Sequence, residues 1–153
     1  IKNIIKKKNF HNLNFSNTPI VMGVLNLTPD SFSDGGIFFE ESKAYDQASS
    51  MIQSGATIID IGGESTRPGS KTISEQEEWE RIKNIIIKLK KDFPKTLLSL
   101  DTRKSHVMRN GIEKGIDIIN DVSGLKFDNK SFDIIKSKNI PRYCQNCYRG
   151  NGP

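Results

Sequence analysis

The sequence is poor in several residue types, and each shortage excludes a class of protein. Its two cysteines, Cys144 and Cys147, form one CxxC pair with no second pair and no histidine at zinc-ligand spacing. A disulfide-rich scaffold is therefore excluded, and the pair is a weak signal for metal or redox chemistry. No window approaches the roughly 18 apolar residues of a membrane span, and lysines stand where a secretion signal needs its apolar stretch. We expect no membrane contact and a cytoplasmic location.

Aromatic residues are also scarce, at 8% of the 153 residues, and they do not alternate with the lysines that give the net charge of +5. Proteins that bind single-stranded nucleic acid combine a basic surface with aromatic rings that stack on bases. We therefore predict no nucleic-acid partner, and a basic surface that favours anionic small substrates. The content of 35% hydrophobic and 27% charged residues is that of one soluble domain.

What the sequence does contain is a repeated alternation of strand and helix patterns. Four apolar runs, at 20–25, 57–61, 97–100 and 116–119, are rich in isoleucine, valine and leucine and show little alternation with polar residues. Such runs are typical of strands that are buried on both faces of a parallel sheet.

Helical patterns separate these runs. The first repeats Ala44, Ala48 and Ile52 at helical spacing and stops at Gly55, a natural left-handed C-terminal cap. The second starts with a capping box, Ser74 and Glu77, and ends before Pro94. Its apolar face is Trp79, Ile82, Ile86 and Leu89. The third is predicted over 104–114 and ends at Gly115, and the fourth, over 130–138, is expected to bury Phe132 and Ile135.

Four such units predict parallel strands joined by right-handed crossovers, which both an open sheet and a (β/α) barrel satisfy. Each strand delivers an asparagine or aspartate at its end: Asn26, Asp60, Asp101, and Asn120 with Asp121. A barrel gathers these ends on the rim where its active sites lie. Any single one is also a common turn or cap residue. Such a residue at the end of each of four consecutive strands favours the barrel.

The loop after the second strand has the composition of an anion site. Gly62 and Gly63 let backbone N–H groups approach a ligand closely, Ser65 and Thr66 offer hydroxyls, and Arg67 offers a planar guanidinium. Neither the phosphate-binding GxxxxGK[ST] pattern nor the dinucleotide GxGxxG pattern is present. The longer first loop, 26–36, is rich in turn formers, carboxylates and hydroxyls, and resembles a mobile lid.

At this point the residues resemble a known family. The stretches MGVLNLTPDSFSDGG at 22–36 and GATIIDIGGESTRPG at 55–69, followed by SLDT at 99–102 and IINDVS at 118–123, are similar to the signature segments of dihydropteroate synthases. The resemblance covers about residues 20 to 140. It implies an eight-stranded (β/α) TIM barrel, of which this chain holds about the first four units, and an enzyme of folate biosynthesis.

The resemblance also implies a reaction and a set of site residues. The enzyme is a transferase that condenses 6-hydroxymethyl-7,8-dihydropterin diphosphate with p-aminobenzoate. Asn26 matches the position that binds Mg²⁺, Thr66 and Arg67 match positions at the diphosphate and the lid, and Asp101 and Asn120 match pterin-binding positions. We predict that Asp101 also stabilises positive charge on the ring as diphosphate leaves. Asp60 is either structural or pterin-facing.

The C-terminal end departs from the pattern. Residues 141–153 are polar and cysteine-bearing where the family has a hydrophobic fifth strand. We therefore expect a single, C-terminally truncated domain that is inactive alone, whereas the family is typically homodimeric. Two alternatives stay open: a non-catalytic remnant, and a pterin-binding methyltransferase domain, against which the 64–69 loop argues. His11 and His106 are expected to be structural or surface residues.

Overall fold

The computed structural model describes residues 19–28, 37–65, 69–138 and 142–143. Five strands form one parallel sheet in the order β1-β2-β3-β4-β5. Their bounds are β1 Met22–Asn26, β2 Ile58–Gly62, β3 Leu97–Asp101, β4 Ile118–Asn120 and β5 Arg142–Tyr143. A doubly wound sheet reverses its strand order at a switch point, and these five strands show no reversal. The sheet therefore has the sequential order of a (β/α) barrel.

Four helices join consecutive strands, with bounds α1 Ile37–Gln53, α2 Glu75–Asp92, α3 Ser105–Glu113 and α4 Ser131–Lys138. The Ser74 side chain caps α2 by accepting a hydrogen bond from the Glu77 N–H, as its position in the sequence predicts. The predicted glycine ends are confirmed, because Gly55 and Gly115 have φ values of 100° and 98°. In the described part of the chain, no helix is long and apolar enough to cross a membrane.

The strand register divides the sheet into two faces. In-register partners of parallel strands point to the same side, so alternate residues of all strands share a face. One face is apolar and fully buried under the helices, and it forms the core with Leu25, Ile59, Ile61, Leu98, Leu100 and Ile119. The other face, called the inner face below, carries Met22, Val24, Asn26, Ile58, Asp60, Gly62, Leu97, Ser99, Asp101, Ile118 and Asn120.

Two expectations from the sequence need correction. Asp60 does not close β2, since the strand pairs with both neighbours as far as Gly62. Phe132 is 47% exposed, because α4 turns Ser131, Ile134 and Ile135 toward the core instead. The structure also adds a short fifth strand, in which Arg142 and Tyr143 pair with β4. Two residues suffice because a strand pairing needs backbone groups only.

Candidate functional site

The carboxyl ends of the strands bring three predicted site residues together. Asn26, Asp101 and Asn120 are the last residues of β1, β3 and β4, and the register places them in one row with Gly62 of β2. A Cβ atom on Gly62 would lie 3.4 Å from Asn26 Oδ1 and 3.8 Å from Asp101 Oδ2. Gly62 therefore places no side chain between an amide oxygen and a carboxylate, and a Cβ atom there would be in ordinary van der Waals contact with both.

Asp60 and Asn120 form a buried pair on the same face. The Asn120 Nδ2 group donates a hydrogen bond of 2.9 Å to Asp60 Oδ2. A carboxylate only accepts hydrogen bonds, so this contact fixes the amide with its nitrogen toward Asp60 and its oxygen directed elsewhere. Asp60 thus belongs to the site, and it sets the orientation in which Asn120 can accept a hydrogen bond.

Asp101 has an unusual protonation equilibrium. Its pKa is raised from 3.8 to about 7, first by burial and then by the surrounding carboxylates of Asp60, Glu78, Asp121 and Glu64. A ligand that brings positive charge or N–H donors would favour the ionised form and lower this pKa again. Asp101 is therefore suited to bind a donor-rich or cationic group.

The site contains acceptor atoms that lack donors. Among the described residues, no hydrogen-bond partner reaches the buried atoms Asp60 Oδ1, Asp101 Oδ1 and Asn120 Oδ1. A buried polar atom without a partner costs about 1–3 kcal/mol, so three such atoms on one face of the sheet mark a place where a ligand would complete the hydrogen bonds. All three atoms are acceptors of a carboxyl or amide group. The ligand that fits them presents several N–H donors.

Asp121, by contrast, is occupied by its own loop. Its two carboxylate oxygens accept hydrogen bonds from the backbone N–H groups of Ser123, at 2.7 Å, and Leu125, at 3.0 Å. Leu125 has a positive φ of 64°, and these bonds hold the turn in which it lies. The structural interpretation of Asp121 therefore holds, and its influence on the site is the charge that it adds near Asp101.

The loop that follows β2 is held by a group of buried ions. Glu64 lies 3.1 Å from the ammonium of Lys104 and 3.2 Å from Arg103 Nε, and Lys104 in turn lies 2.7 Å from Glu78. Burial acts to raise the pKa of Glu64, but hydrogen bonds from Lys104, the Ile73 N–H and Arg103 together lower it below 4.5. Glu64 is therefore the carboxylate on which these contacts converge.

This ion group was not predicted from the sequence, although one signal for it was present. Glu78 lies four residues before Ile82 on the apolar face of α2, and it is fully buried there. A carboxylate on an apolar helix face requires a cationic partner. Lys104 was predicted only as a helix boundary, because its partners are distant in the chain.

The two remaining predicted site residues, Thr66 and Arg67, lie outside the described residues, as does most of the first loop. Within the described ranges, no three histidine, cysteine, aspartate or glutamate side chains are grouped so that they would hold a metal ion. The oxygen donor that the strand ends offer for the predicted metal is Asn26, which is exposed at the end of β1.

Comparison with known proteins gives one consistent result. A family model described as "Pterin binding enzyme" matches residues 22–149. The dihydropteroate synthase of Bacillus subtilis is 44% identical over 129 residues, which are 84% of this chain and 45% of the relative. The match also spans the segment after residue 140 in part, since the family model extends through residue 149.

Solved structures agree in fold. A dihydropteroate synthase from Clostridium difficile, crystallised in the presence of pteroic acid, superimposes with a TM-score of 0.81 at 38% identity, covering 85% of this chain and 49% of that one. The enzyme from Xanthomonas albilineans with 4-aminobenzoic acid gives 0.76 at 38% identity, with coverages of 82% and 46%. The predicted partial TIM barrel is thus confirmed. The chain spans about half the length of the proteins that it matches.

Proposed function

Because this chain belongs to the family of pterin binding enzymes, we propose that it carries the dihydropterin and metal side of a dihydropteroate synthase site. The substrates are 6-hydroxymethyl-7,8-dihydropterin diphosphate and p-aminobenzoate, and the products are 7,8-dihydropteroate and diphosphate. The enzyme is a transferase of folate biosynthesis. The described residues of this chain contribute the side chains that bind the pterin ring and the cation.

One observation supports this proposal above the others: the three buried acceptors without donors, Asp60 Oδ1, Asp101 Oδ1 and Asn120 Oδ1. The edge of a pterin ring presents a ring N–H and an amino group beside acceptor nitrogens. A carboxylate and an amide oxygen complement such an edge, and Asp101 would ionise fully when these donors reach it. The clustering of acceptors therefore matches the ligand class of the family.

The residues also suit the bond changes of the reaction. The amine nitrogen of p-aminobenzoate forms a bond to the methylene carbon, the bond from that carbon to the diphosphate oxygen breaks, and diphosphate leaves with the electron pair. The attacking amine then loses a proton to solvent. Positive charge grows on the pterin ring as the anion departs, and a carboxylate at Asp101 stabilises that charge without moving a proton.

For the metal, the donor set fits Mg²⁺. Asn26 offers an exposed amide oxygen, and Mg²⁺ commonly takes few protein ligands and completes its shell with water and substrate phosphates. When bound, the cation would neutralise charge on the leaving diphosphate. Asn26 would hold it, with Asp101 Oδ2 on the other side of Gly62.

The diphosphate side is assigned from the sequence. Thr66 and Arg67 would bind phosphate oxygens through a hydroxyl and a guanidinium group. A homodimer and a cytoplasmic location also stay predictions, which light scattering on the purified protein and fractionation of the source cells would test.

The decisive experiment is titration calorimetry of the purified chain with the dihydropterin diphosphate, with and without Mg²⁺, followed by an assay for dihydropteroate after p-aminobenzoate is added. We expect Mg²⁺-dependent binding that Asp101→Asn weakens and that Asp133→Asn, the same change at an exposed position of α4, leaves intact. A chain that binds neither ligand nor metal would contradict the proposal.

Product formation would separate the remaining interpretations. Binding without product would support the binding part of the proposal and would mean that this chain alone does not catalyse the transfer. If product does form, Asp101→Asn tests the electrostatic role: an unchanged rate at saturating substrate would contradict it. Binding of methyltetrahydrofolate in preference to the diphosphate would instead favour the methyltransferase branch.

A further inference from the structure

Beneath the loop that follows β2 lies a group of buried ions that the proposed chemistry does not use. Lys104, Glu64 and Glu78, called the ion cluster below, come from the start of α3, the loop after β2 and the first turn of α2. Their side chains are 5%, 5% and 0% exposed. The Lys104 ammonium lies 3.1 Å from Glu64 Oε1 and 2.7 Å from Glu78 Oε2.

Charge balance in the cluster depends on one more cation. Arg103 reaches the second oxygen of Glu64 at 3.2 Å, while its guanidinium lies over the Phe127 ring at 4.1 Å. Two cations thus face two carboxylates. Buried ion pairs are poor sources of stability, because desolvation offsets most of their attraction, and apolar residues of the same volume often do better. A role in holding a geometry explains their presence more directly than a role in stability.

The backbone that these ions hold in place is that of the loop between β2 and α2. Glu64 Oε1 accepts a hydrogen bond of 3.1 Å from the Ile73 N–H, so one carboxylate joins the start of the loop to its end. Arg81 of α2 donates to the Gly63 carbonyl at 3.0 Å. Gly63 itself lies so close to α2 that an added Cβ atom would stand 3.0 Å from the Glu78 carbonyl oxygen. The start of the loop is therefore held directly against α2, and its end is held through Glu64.

A hydrogen bond within the loop joins its beginning to its end. The Ser70 hydroxyl donates to the Ser65 carbonyl at 2.5 Å, just beyond Glu64. The start of the loop is thus held against α2 through Gly63 and against Lys104 through Glu64. Its end is held by contacts from Ser70 to Ser65, from Arg103 to Thr72 and from Ile73 to Glu64. Lys104 is the group that ties Glu64 to Glu78 of α2, because a single ammonium has three donors and reaches both carboxylates.

We propose that Lys104 is a positioning residue for the diphosphate part of the substrate, acting through Glu64. It touches no ligand. By fixing Glu64 against Glu78, it sets the position of the backbone around Ser65 relative to the pterin acceptors on β2, β3 and β4. The choice of ligand rests on the proposed function, whereas the anchoring of the loop does not.

The ligand test compares two related compounds. Lys104→Met alone would leave two carboxylates buried side by side, so the working variant is Lys104→Met combined with Glu78→Gln, which removes one charge of each sign. We expect its affinity for the dihydropterin diphosphate with Mg²⁺ to fall about tenfold. Affinity for 6-hydroxymethyl-7,8-dihydropterin, which has no phosphate, should change less than about twofold. A general structural defect would weaken both ligands equally, and that result would overturn the proposal.

Two controls isolate the effect. Glu78→Gln alone keeps the contact between Lys104 and Glu64, and it should retain most of the diphosphate affinity. Lys90→Met makes the same lysine substitution at another partly buried ion pair, 2.6 Å from Asp117 at the amino end of the sheet, and it should not change the ratio of the two affinities. An equal loss in Lys90→Met would also overturn the proposal.

A second measurement does not depend on ligand binding. Hydrogen exchange of the Ile73 amide reports the bond to Glu64, and we expect it to quicken about tenfold in the double variant and to stay unchanged in Lys90→Met. Unchanged exchange in the double variant would show that Lys104 does not anchor the loop. If the wild-type chain binds neither pterin, the proposed function fails, and the exchange rates still decide the anchoring.

Discussion

The two faces of the sheet differ in composition and burial, although the same strands form both. On the helix-covered face, residues such as Leu25, Ile61 and Leu100 are fully buried and apolar. On the inner face, Met22 and Val24 are 42% and 51% exposed, and polar groups follow them toward the carboxyl ends of the strands. Because side chains alternate along a strand, consecutive residues lie on opposite faces, one in the core and the next on the face of the candidate site. Stability and function should therefore respond separately to substitutions on the two faces.

The largest effect is expected on the covered face. Leu100→Ala removes a fully buried side chain of β3, and it should lower the free energy of unfolding by about 2–5 kcal/mol. Val24→Ala on the inner face should change it by less than about 0.5 kcal/mol. Urea denaturation monitored by the fluorescence of Trp79, the only tryptophan, measures both. If the free energy of unfolding fell by a similar amount in both variants, the two faces would not differ in the way proposed.

Two glycines sharpen the comparison further. On the covered face, a Cβ atom on Gly23 would lie 2.6 Å from Met51 Sδ and 3.2 Å from Ile59 Cδ1, so Gly23→Ala should cost about 1–3 kcal/mol of stability. On the inner face, the nearest atom to a Cβ on Gly62 is Asn26 Oδ1 at 3.4 Å, an ordinary contact.

Gly62→Ala should therefore leave the free energy of unfolding within about 0.5 kcal/mol and weaken Mg²⁺-dependent binding of the dihydropterin diphosphate about tenfold. Calorimetry of the two variants checks this. A Gly62→Ala chain that binds normally would show that the space between Asn26 and Asp101 is not used by the ligand.

A pH dependence is expected from Asp101. Its pKa is raised from 3.8 to about 7, mainly by burial, so between these values the folded chain holds a proton that the unfolded chain has released. Stability should then be highest below about pH 4 for this group and fall as the pH rises to about 7. Asp101→Asn should abolish this decrease and make the free chain more stable at pH 8, whereas under the proposed function it should weaken pterin binding. Urea titrations at several pH values test this.

The sequence predicted the strands to within two residues because apolar runs and glycine caps are local signals. It misplaced the end of β2, because Asp60 looks terminal until the pairing of Gly62 with Asn26 and Asp101 is known. It assigned Phe132 to the core, since a helix of eight residues contains too few turns to fix its apolar face.

The site shows the same limit. The family resemblance assigned roles to Asn26, Asp101 and Asn120. Their meeting at one edge was predicted because parallel strands of sequential order bring their carboxyl ends together. The ion cluster was not predicted, since Glu64, Glu78 and Lys104 are joined only through tertiary packing. The orientation of Asn120 likewise depends on Asp60, sixty residues earlier.

The smallest change in stability is expected for Asn26→Ala. Asn26 is exposed at the end of β1 and on the inner face, so its removal should shift the free energy of unfolding by less than about 0.5 kcal/mol. Its amide oxygen is nevertheless the proposed ligand of Mg²⁺, and the gain in affinity for the dihydropterin diphosphate on adding Mg²⁺ should largely disappear. Asn84→Ala, on the exposed side of α2, is the control. If Asn26→Ala retained the full Mg²⁺ effect, the cation would have to be held by the substrate and by other residues.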